Sequence, residues 1–191
     1  MTPVPPARPN PWLTRASRVT YDNAWIRVRE DAVVRPDGAP GIYGVVEFKN
    51  RALGVVPVFD DGATVLVGQH RYPHDAWSWE IPSGGGRFDH PAEEEIRREL
   101  REETGLSAHT WTPLGQLHTS NSVTDEVGEL WLAEHLVQEE ADPEPTEELS
   151  LWRLPLSEAV RMALEGELID GVTVVGLCRA AHYRAVRDDD R

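Results

Sequence analysis

Cysteine is almost absent from this sequence, and its scarcity limits both the covalent framework and the expected location of the chain. Cys178 is the single cysteine among 191 residues, so no disulfide can form within the chain. Chains without disulfides are typical of reducing compartments, which predicts a cytoplasmic protein. Cys178 lies in an apolar run over 172–181, and we interpret it as a buried core thiol.

Basic residues are also few, and no long apolar run occurs. The formal net charge is −14, from 33 acidic against 19 basic residues, and no basic patch is visible. Nucleic-acid-binding proteins normally carry such a patch for the phosphate backbone, so we expect no nucleic-acid partner. No segment reaches the ~18 consecutive apolar residues of a membrane span, so we expect a soluble protein without a membrane partner. A small phosphorylated substrate remains compatible with this charge if metal ions mediate the contact.

The distribution of proline, acidic and apolar residues predicts the domain organisation. Five prolines within the first 11 residues indicate a disordered lead-in over 1–17. Residues 18–48 form an N-terminal region that carries strand patterns but little core of its own, so its apolar face must be buried elsewhere. The catalytic domain is predicted over 49–187, with an acidic, solvated linker over 139–148, and residues 188–191 form a polar tail.

Apolar periodicity predicts an α+β fold in which a mostly mixed or antiparallel sheet is covered by helices. Strands are predicted over 21–28, 32–34, 42–48, 53–59, 64–69, 77–81, 111–118, 127–136 and 149–154. After Pro82 the chain enters the glycine-rich segment Ser83-Gly84-Gly85-Gly86. A helix over 91–105 would begin at His90 as the N-cap and end at Gly105. Two closing helices would be capped by Ser157 and Asp170.

The first helix carries an unusual cluster of glutamates. Glu99, Glu102 and Glu103 have i, i+3 and i+4 spacing and therefore share one face, with Glu95 one turn back. Three carboxylates placed together repel one another, so the cluster favours a bound divalent cation with oxygen ligands, such as Mg²⁺. An acidic surface paired with neighbouring arginines is the alternative interpretation.

The residues around this helix resemble the Nudix box, G-x5-E-x7-R-E-U-x-E-E-x-G-U, in which U is a bulky aliphatic residue. The matching positions in this chain are Gly84, Arg98, Glu99, Leu100, Glu102, Glu103, Gly105 and Leu106. The resemblance implies a Nudix fold, a mixed sheet sandwiched between helices with a loop–helix–loop box. It also implies that Glu99, Glu102, Glu103 and the carbonyl of Ser83 hold Mg²⁺ or Mn²⁺.

Segments outside the box resemble the branch of ADP-ribose pyrophosphatases and nucleoside diphosphate sugar hydrolases. These segments are Gln69-His-Arg71-Tyr-Pro, Trp79-Glu80-Ile-Pro and the loop over 120–126. The resemblance implies a nucleotide-type substrate, cleavage into nucleoside monophosphate and sugar phosphate, and a homodimer that exchanges N-terminal strands.

The same resemblance assigns roles to individual residues. The general base is Glu126, for which Asp125 or Glu129 could substitute, and Glu102 and Arg98 complete the catalytic group. Substrate binding is assigned to a second set, Arg71, Glu80, Gly84 and Gly85. The alternatives are a surface salt bridge for Arg71 and an ordinary loop carboxylate for Glu126.

Two positions depart from the family pattern. His90 replaces the box glutamate that pairs with the box arginine, so Arg98 needs another partner, for which Glu95 and Asp89 are candidates. Asn121 stands where ADP-ribose-specific members carry a proline, about fifteen residues past the box. Two alternatives therefore stay open: a Nudix enzyme for nucleoside triphosphates, dinucleotides or coenzyme A, and a catalytically weak nucleotide-binding module.

Overall fold

The computed structural model describes residues 4–139 and 148–189. Residues 1–3 of the predicted lead-in, 140–147 of the predicted linker and 190–191 of the predicted tail lie outside the described residues. The chain divides into two compact units. Unit 1 contains residues 1–49 and 120–125, and unit 2 contains residues 50–119 and 126–191.

Unit 1 is a three-stranded antiparallel sheet in the order β1-β2-β3. Its strands are β1 (Leu13–Asp22), β2 (Ile26–Val34) and β3 (Pro40–Phe48). The single strand predicted over 21–28 is wrong, because the Asn23 side chain accepts hydrogen bonds from the backbone N–H groups of Trp25 and Ile26, both at 2.8 Å, and turns the chain. The lead-in predicted to reach residue 17 is also too long, since β1 begins at Leu13.

The strands of unit 1 leave most of their apolar surface exposed. Among the described residues of this unit only Asp31 and Val33 are buried. Every residue of β1 is exposed. The exposed large apolar side chains of the sheet and its first turn are Leu13, Val19, Tyr21, Trp25 and Ile42. This unit therefore has almost no core of its own.

Unit 2 contains a seven-stranded mixed sheet. Its strands are β4 (Asn50–Val58), β5 (Ala63–Arg71), β6 (Ala76–Glu80), β7 (Ser83–Arg87), β8 (Leu106–His118), β9 (Val127–Gln138) and β10 (Ser150–Pro155). The order is β10-β5-β4-β9-β8, with β6 paired to β5 and β7 paired to β4. The β4–β9 pair is parallel and the other pairs are antiparallel. No strand is predicted over 83–86, but these residues form β7.

Three helices cover the two faces of this sheet: α1 (Ala92–Thr104), α2 (Leu156–Glu165) and α3 (Gly171–Asp189). Buried residues of α2 and α3 pack against one face in a cluster that includes Leu66, Leu132 and Leu177. Ile96 and Leu100 of α1 pack against Leu53 and Val55 on a second cluster. The predicted α+β sandwich is confirmed.

Within the described ranges, no helix is both long and apolar enough to cross a membrane.

The helix ends test four of the sequence predictions. Gly105 ends α1 in the left-handed conformation, with φ of 68°, as predicted. Asp170 also acts as predicted, because its carboxylate accepts the N–H of Thr173 at 2.7 Å. His90 and Ser157 are not N-caps, since Pro91 and Pro155 occupy those positions.

The environment of Cys178 differs from its prediction. The thiol lies on α3 and is only partly buried, whereas Leu177 and Ala180 of the same helix are fully buried. The helix therefore directs the neighbouring side chains, and not the thiol, into the core.

Candidate active site

Strand β4 lies between the strand that precedes α1 and the strand that follows Glu126. Ala52 of β4 pairs with Gly85 of β7 on one side and with Gly128 of β9 on the other. Neighbouring strands lie ~4.8 Å apart, so Gly85 and Gly128 are separated by about 10 Å. Glu126 stands two residues before Gly128, and Gly85 belongs to the strand that leads to α1.

Two apolar residues set the rotation of α1. Ile96 and Leu100 are fully buried. The glutamates of the helix therefore lie at the edge of the contact between α1 and the sheet. Glu103 is 5% exposed, and its Oε2 accepts the backbone N–H of Ser83 at 3.0 Å. The end of the helix is thereby joined to the start of β7.

Gly84 provides the space that a second glutamate occupies. A Cβ atom at Gly84 would overlap the carboxylate of Glu99. The glycine therefore lets this carboxylate lie directly against the β7 backbone, which no residue with a side chain would allow without moving Glu99. At Gly85, in contrast, the nearest atom to such a Cβ is Nδ2 of Asn50 at 3.7 Å, an ordinary contact.

Arg98 lies among the carboxylates of its own helix. Its guanidinium donates to Oε1 of Glu99 at 2.6 Å and to Oε2 of Glu95 at 3.3 Å, and it also pairs with Glu102. Burial lowers the pKa of Arg98, but the charges of Glu99 and Glu102 and the bonds to Glu95 and Glu102 outweigh burial and raise it. The side chains of Glu99 and Glu102 are only 15% and 19% exposed. The pairing with an arginine agrees with the alternative interpretation of this cluster, whereas its partial burial does not agree with a solvated face.

The donor chemistry of this network suits a hard divalent cation. In the described part of the chain, no three His, Cys, Asp or Glu side chains already form a cation-binding group. The predicted ligands are nevertheless all oxygen donors: the carboxylates of Glu99, Glu102 and Glu103 and the carbonyl of Ser83. The Gly84 space and the Ser83–Glu103 hydrogen bond bring two of these carboxylates to the β7 backbone. The residues therefore suit a divalent cation in two respects: they provide oxygen donors, and two of their carboxylates lie at the same backbone segment.

A second ion pair lies on β5 and β6. Glu80 is 3% exposed, and both of its carboxylate oxygens accept hydrogen bonds from Arg71, one of them from Nε at 2.9 Å. Burial alone would raise the pKa of Glu80, but the bonds from Arg71 and Ser78 outweigh it and hold the pKa below its usual value. The bond to Glu80 raises the pKa of Arg71, and the charges of Asp170 and Glu103 add to this effect. Arg71 therefore interacts electrostatically with one glutamate of α1, Glu103.

The three candidates for the general base have different partners. Asp125 accepts the backbone N–H of Phe48 at 2.8 Å, and Glu129 accepts a bond from Nη1 of Arg51 at 3.0 Å. Glu126 is partly buried and accepts the hydroxyl of Thr119. Two of the three carboxylates thus support backbone or strand structure, whereas Glu126 is held by a short neutral side chain.

Arg51 is a structural residue of the site that sequence reasoning missed. Besides Glu129, it donates to the carbonyls of Arg87 at 3.2 Å and Phe88 at 3.0 Å. Its side chain is 14% exposed, so β4, β9 and the turn before α1 are tied together by one partly buried cation. A charged residue at the start of an otherwise apolar strand was the available signal.

Two family matches identify the class of protein to which this chain belongs. The NUDIX domain matches residues 48–172, and the N-terminal domain of nucleoside diphosphate sugar hydrolases matches residues 10–46. The chain therefore belongs to the Nudix family. It is a Nudix pyrophosphohydrolase, and hydrolysis of nucleoside diphosphate derivatives is its class of reaction. Nudix hydrolases generally use divalent metal ions.

Relatives of known activity cover most of the chain. An ADP-ribose pyrophosphatase of Mycobacterium tuberculosis is 32% identical over 171 residues, which cover 86% of this chain and 80% of the relative. An ADP-ribose pyrophosphatase of Bacillus subtilis is 30% identical over 166 residues, 86% of this chain and 89% of the relative. The crystal structure of an ADP compounds hydrolase has a TM-score of 0.84 and covers 95% of this chain and 98% of its own, and at 17% identity this likeness shows the fold.

The space at Gly84 generates a test of the metal site. We expect Gly84→Ala to weaken Mn²⁺ binding roughly 10–100-fold, because the new methyl group displaces the Glu99 carboxylate. Gly85→Ala is the matched control and should bind Mn²⁺ as tightly as the wild type, since its methyl group meets only ordinary contacts. Isothermal titration of the two purified variants measures the difference. Equal Mn²⁺ affinity in both would contradict the placement of Glu99 in a metal site.

Proposed function

We propose that the protein cleaves the diphosphate of ADP-ribose or another nucleoside diphosphate sugar, in a reaction that requires Mg²⁺ or Mn²⁺. The products are a nucleoside monophosphate and a sugar phosphate. The observation that carries this proposal is the approach of Glu99 and Glu103 to the backbone of Ser83 and Gly84. The names of the two bacterial relatives support ADP-ribose as the first substrate to test.

The metal would be held by Glu99, Glu102, Glu103 and the Ser83 carbonyl. A bound divalent ion supplies charge neutralisation for the diphosphate and a more acidic water. Arg98 offsets the mutual repulsion of the glutamates and keeps Glu99 and Glu102 turned toward each other. The protein thus maintains a set of carboxylates close together that would otherwise separate.

Glu126 is the residue we assign as general base. Glu126 lies two residues before Gly128, and only strand β4 separates Gly128 from Gly85 of β7. This short separation supports the role. Asp125 and Glu129 are held by Phe48 and Arg51 and would have to leave those partners to accept a proton. Glu126 would take the proton of the attacking water.

Arg71 is the residue we assign to the anionic part of the substrate. A guanidinium has five N–H donors, and the pair of bonds to Glu80 uses two of them. The remaining donors allow Arg71 to bind a phosphate while Glu80 holds its orientation. Gly85 would let the substrate approach the β7 backbone closely, whereas Gly84 would act through the Glu99 carboxylate that fills its space.

We also propose a homodimer formed through unit 1. Trp25 and Ile42 are 69% and 71% exposed, and Leu13, Val19 and Tyr21 are each about half exposed. Apolar residues exposed over a whole sheet are typical of an interaction surface. The match of residues 10–46 to a domain found in nucleoside diphosphate sugar hydrolases supports a shared role for this unit.

A substrate panel tests the proposed activity. We expect metal-dependent release of nucleoside monophosphate and sugar phosphate from ADP-ribose or from another nucleoside diphosphate sugar, measured by product chromatography. Nucleoside triphosphates, dinucleotides and coenzyme A serve as comparison substrates. A higher kcat/KM for any of these three would contradict the substrate class, and full activity in a chelator would contradict the metal requirement.

Replacement of the proposed base gives a kinetic test. We expect Glu126→Gln to lower kcat about 10²–10⁴-fold, because the variant cannot accept the proton of the attacking water. KM should change much less, since the substrate contacts remain. Glu129→Gln is the control, as it removes a carboxylate of the same strand region that is held by Arg51. A larger kcat loss in Glu129→Gln would reverse the assignment.

The dimer proposal predicts a mass of twice the 21.4 kDa chain. Light scattering at micromolar concentration should give this mass for the full-length protein. Val19→Asp in the exposed strand β1 should shift it toward the monomer, because a buried unpaired charge disfavours the interface. Ile169→Asp, the same kind of change at an exposed apolar residue of unit 2, is the control and should leave the mass unchanged. A monomer for the full-length protein contradicts the proposal.

A further inference from the structure

Because His90 stands at the position of the box glutamate, the negative charge expected beside the box arginine is missing from that position. In the family pattern a carboxylate at this position pairs with the box arginine, and an imidazole cannot replace it as an anion. The structure nevertheless gives Arg98 a third carboxylate in addition to Glu99 and Glu102. Oε2 of Glu95 lies 3.3 Å from Nη2 of Arg98, and Oε1 of the same carboxylate lies 2.8 Å from Nδ1 of His90.

Glu95 differs from the other glutamates in the first turn of α1. It is 9% exposed, and its i, i+3 spacing places it on the Arg98 side of the helix. Glu94 is exposed to solvent, and Glu93 pairs with the exposed Arg97 at 2.6 Å. One of three consecutive glutamates is therefore buried, and it is the one that contacts both His90 and Arg98.

The electrostatics favour an ionised Glu95. Burial would raise the pKa of its carboxyl group, but the hydrogen bonds from His90 and Arg98 outweigh burial and hold the pKa below its ordinary value. Asp89, the other candidate partner for Arg98, has both of its carboxylate oxygens in bonds to Arg87, at 2.9 and 2.7 Å. It is therefore engaged in a separate exposed pair.

We propose that Glu95 is a positioning residue that has taken over the task of the missing box glutamate. Its carboxylate holds Arg98 on the face of α1 where Arg98 contacts Glu99 and Glu102, and His90 holds that carboxylate in place. The anion has moved from the loop before the helix to the first helical turn, five residues along the chain. This proposal rests on the proposed function, because it assigns Glu95 to the support of the same metal site.

The first test compares two equal substitutions on one helix. We expect Glu95→Gln to weaken Mn²⁺ binding and to lower kcat/KM, each roughly 10–100-fold, as is common when a residue that orients metal ligands is lost. Glu93→Gln removes the same charge and also breaks an ion pair, but on the exposed side of α1, so both values should stay within about 2-fold of the wild type. Equal effects of the two substitutions overturn the proposal.

The second test restores the carboxylate at its family position. Adding His90→Glu to Glu95→Gln should recover most of the lost Mn²⁺ affinity, because the new carboxylate can reach Arg98. Adding His90→Glu to Glu93→Gln should give no such gain. If Glu95 only stabilised the fold, a carboxylate at residue 90 would not restore Mn²⁺ affinity. A folded double variant that does not recover Mn²⁺ affinity therefore overturns the proposal.

A third measurement needs neither metal nor substrate. Glu95→Gln and Arg98→Gln, alone and together, form a double-mutant cycle on the midpoint of thermal unfolding of the metal-free protein. We expect the two shifts to be non-additive, because both remove the same contact, and additive shifts overturn the proposal. A wild-type protein that shows this coupling but hydrolyses no substrate would contradict the proposed function alone.

Discussion

The repulsion among the carboxylates of α1 is the constraint on which the rest of the site depends. Glu99, Glu102 and Glu103 are held together in a partly buried position, where like charges repel more strongly than in water. The chain offsets this cost with Arg98 among the carboxylates, with the backbone N–H of Ser83 on Glu103, and with the space at Gly84 for Glu99. A network that is stable only with these partners is also one that a divalent cation would stabilise further.

The sheet supplies the rigid frame that this helix requires. Strand β4 pairs with β7 on one side and in parallel with β9 on the other, so the strand before the helix and the strand after Glu126 flank one strand. Arg51 of β4 also contacts both neighbours. It binds Glu129 of β9 and the carbonyls of Arg87 and Phe88, which precede α1. The catalytic geometry therefore depends on pairs of residues that are about 30 to 80 positions apart in the chain.

Local chemistry explains which sequence predictions agree with the structure. Gly105 ends α1 because a left-handed residue closes a helix at low cost, and Asp170 starts α3 because its carboxylate accepts an early N–H. The structure differs from the predictions where the local pattern allows two conformations or where a distant strand decides between them. Asn23 ends a strand that apolar spacing alone would continue, and the glycines of β7 form a strand only because β4 offers its hydrogen bonds. His90 could cap a helix, but the nearby Glu95 carboxylate binds its ring instead.

The sequence by itself determined the family, the α+β class and the identity of the glutamates that share one helix face, because these depend on residue types at fixed spacings along a single element. Tertiary structure alone decided which partner each charge takes. The sequence leaves both Glu95 and Asp89 as candidate partners of Arg98. In the structure one face of α1 is buried and directs Glu95 inward, and Asp89 remains with Arg87. Such choices depend on distances between elements and on the loss of solvent around a side chain, and neither quantity is encoded at any one position of the sequence.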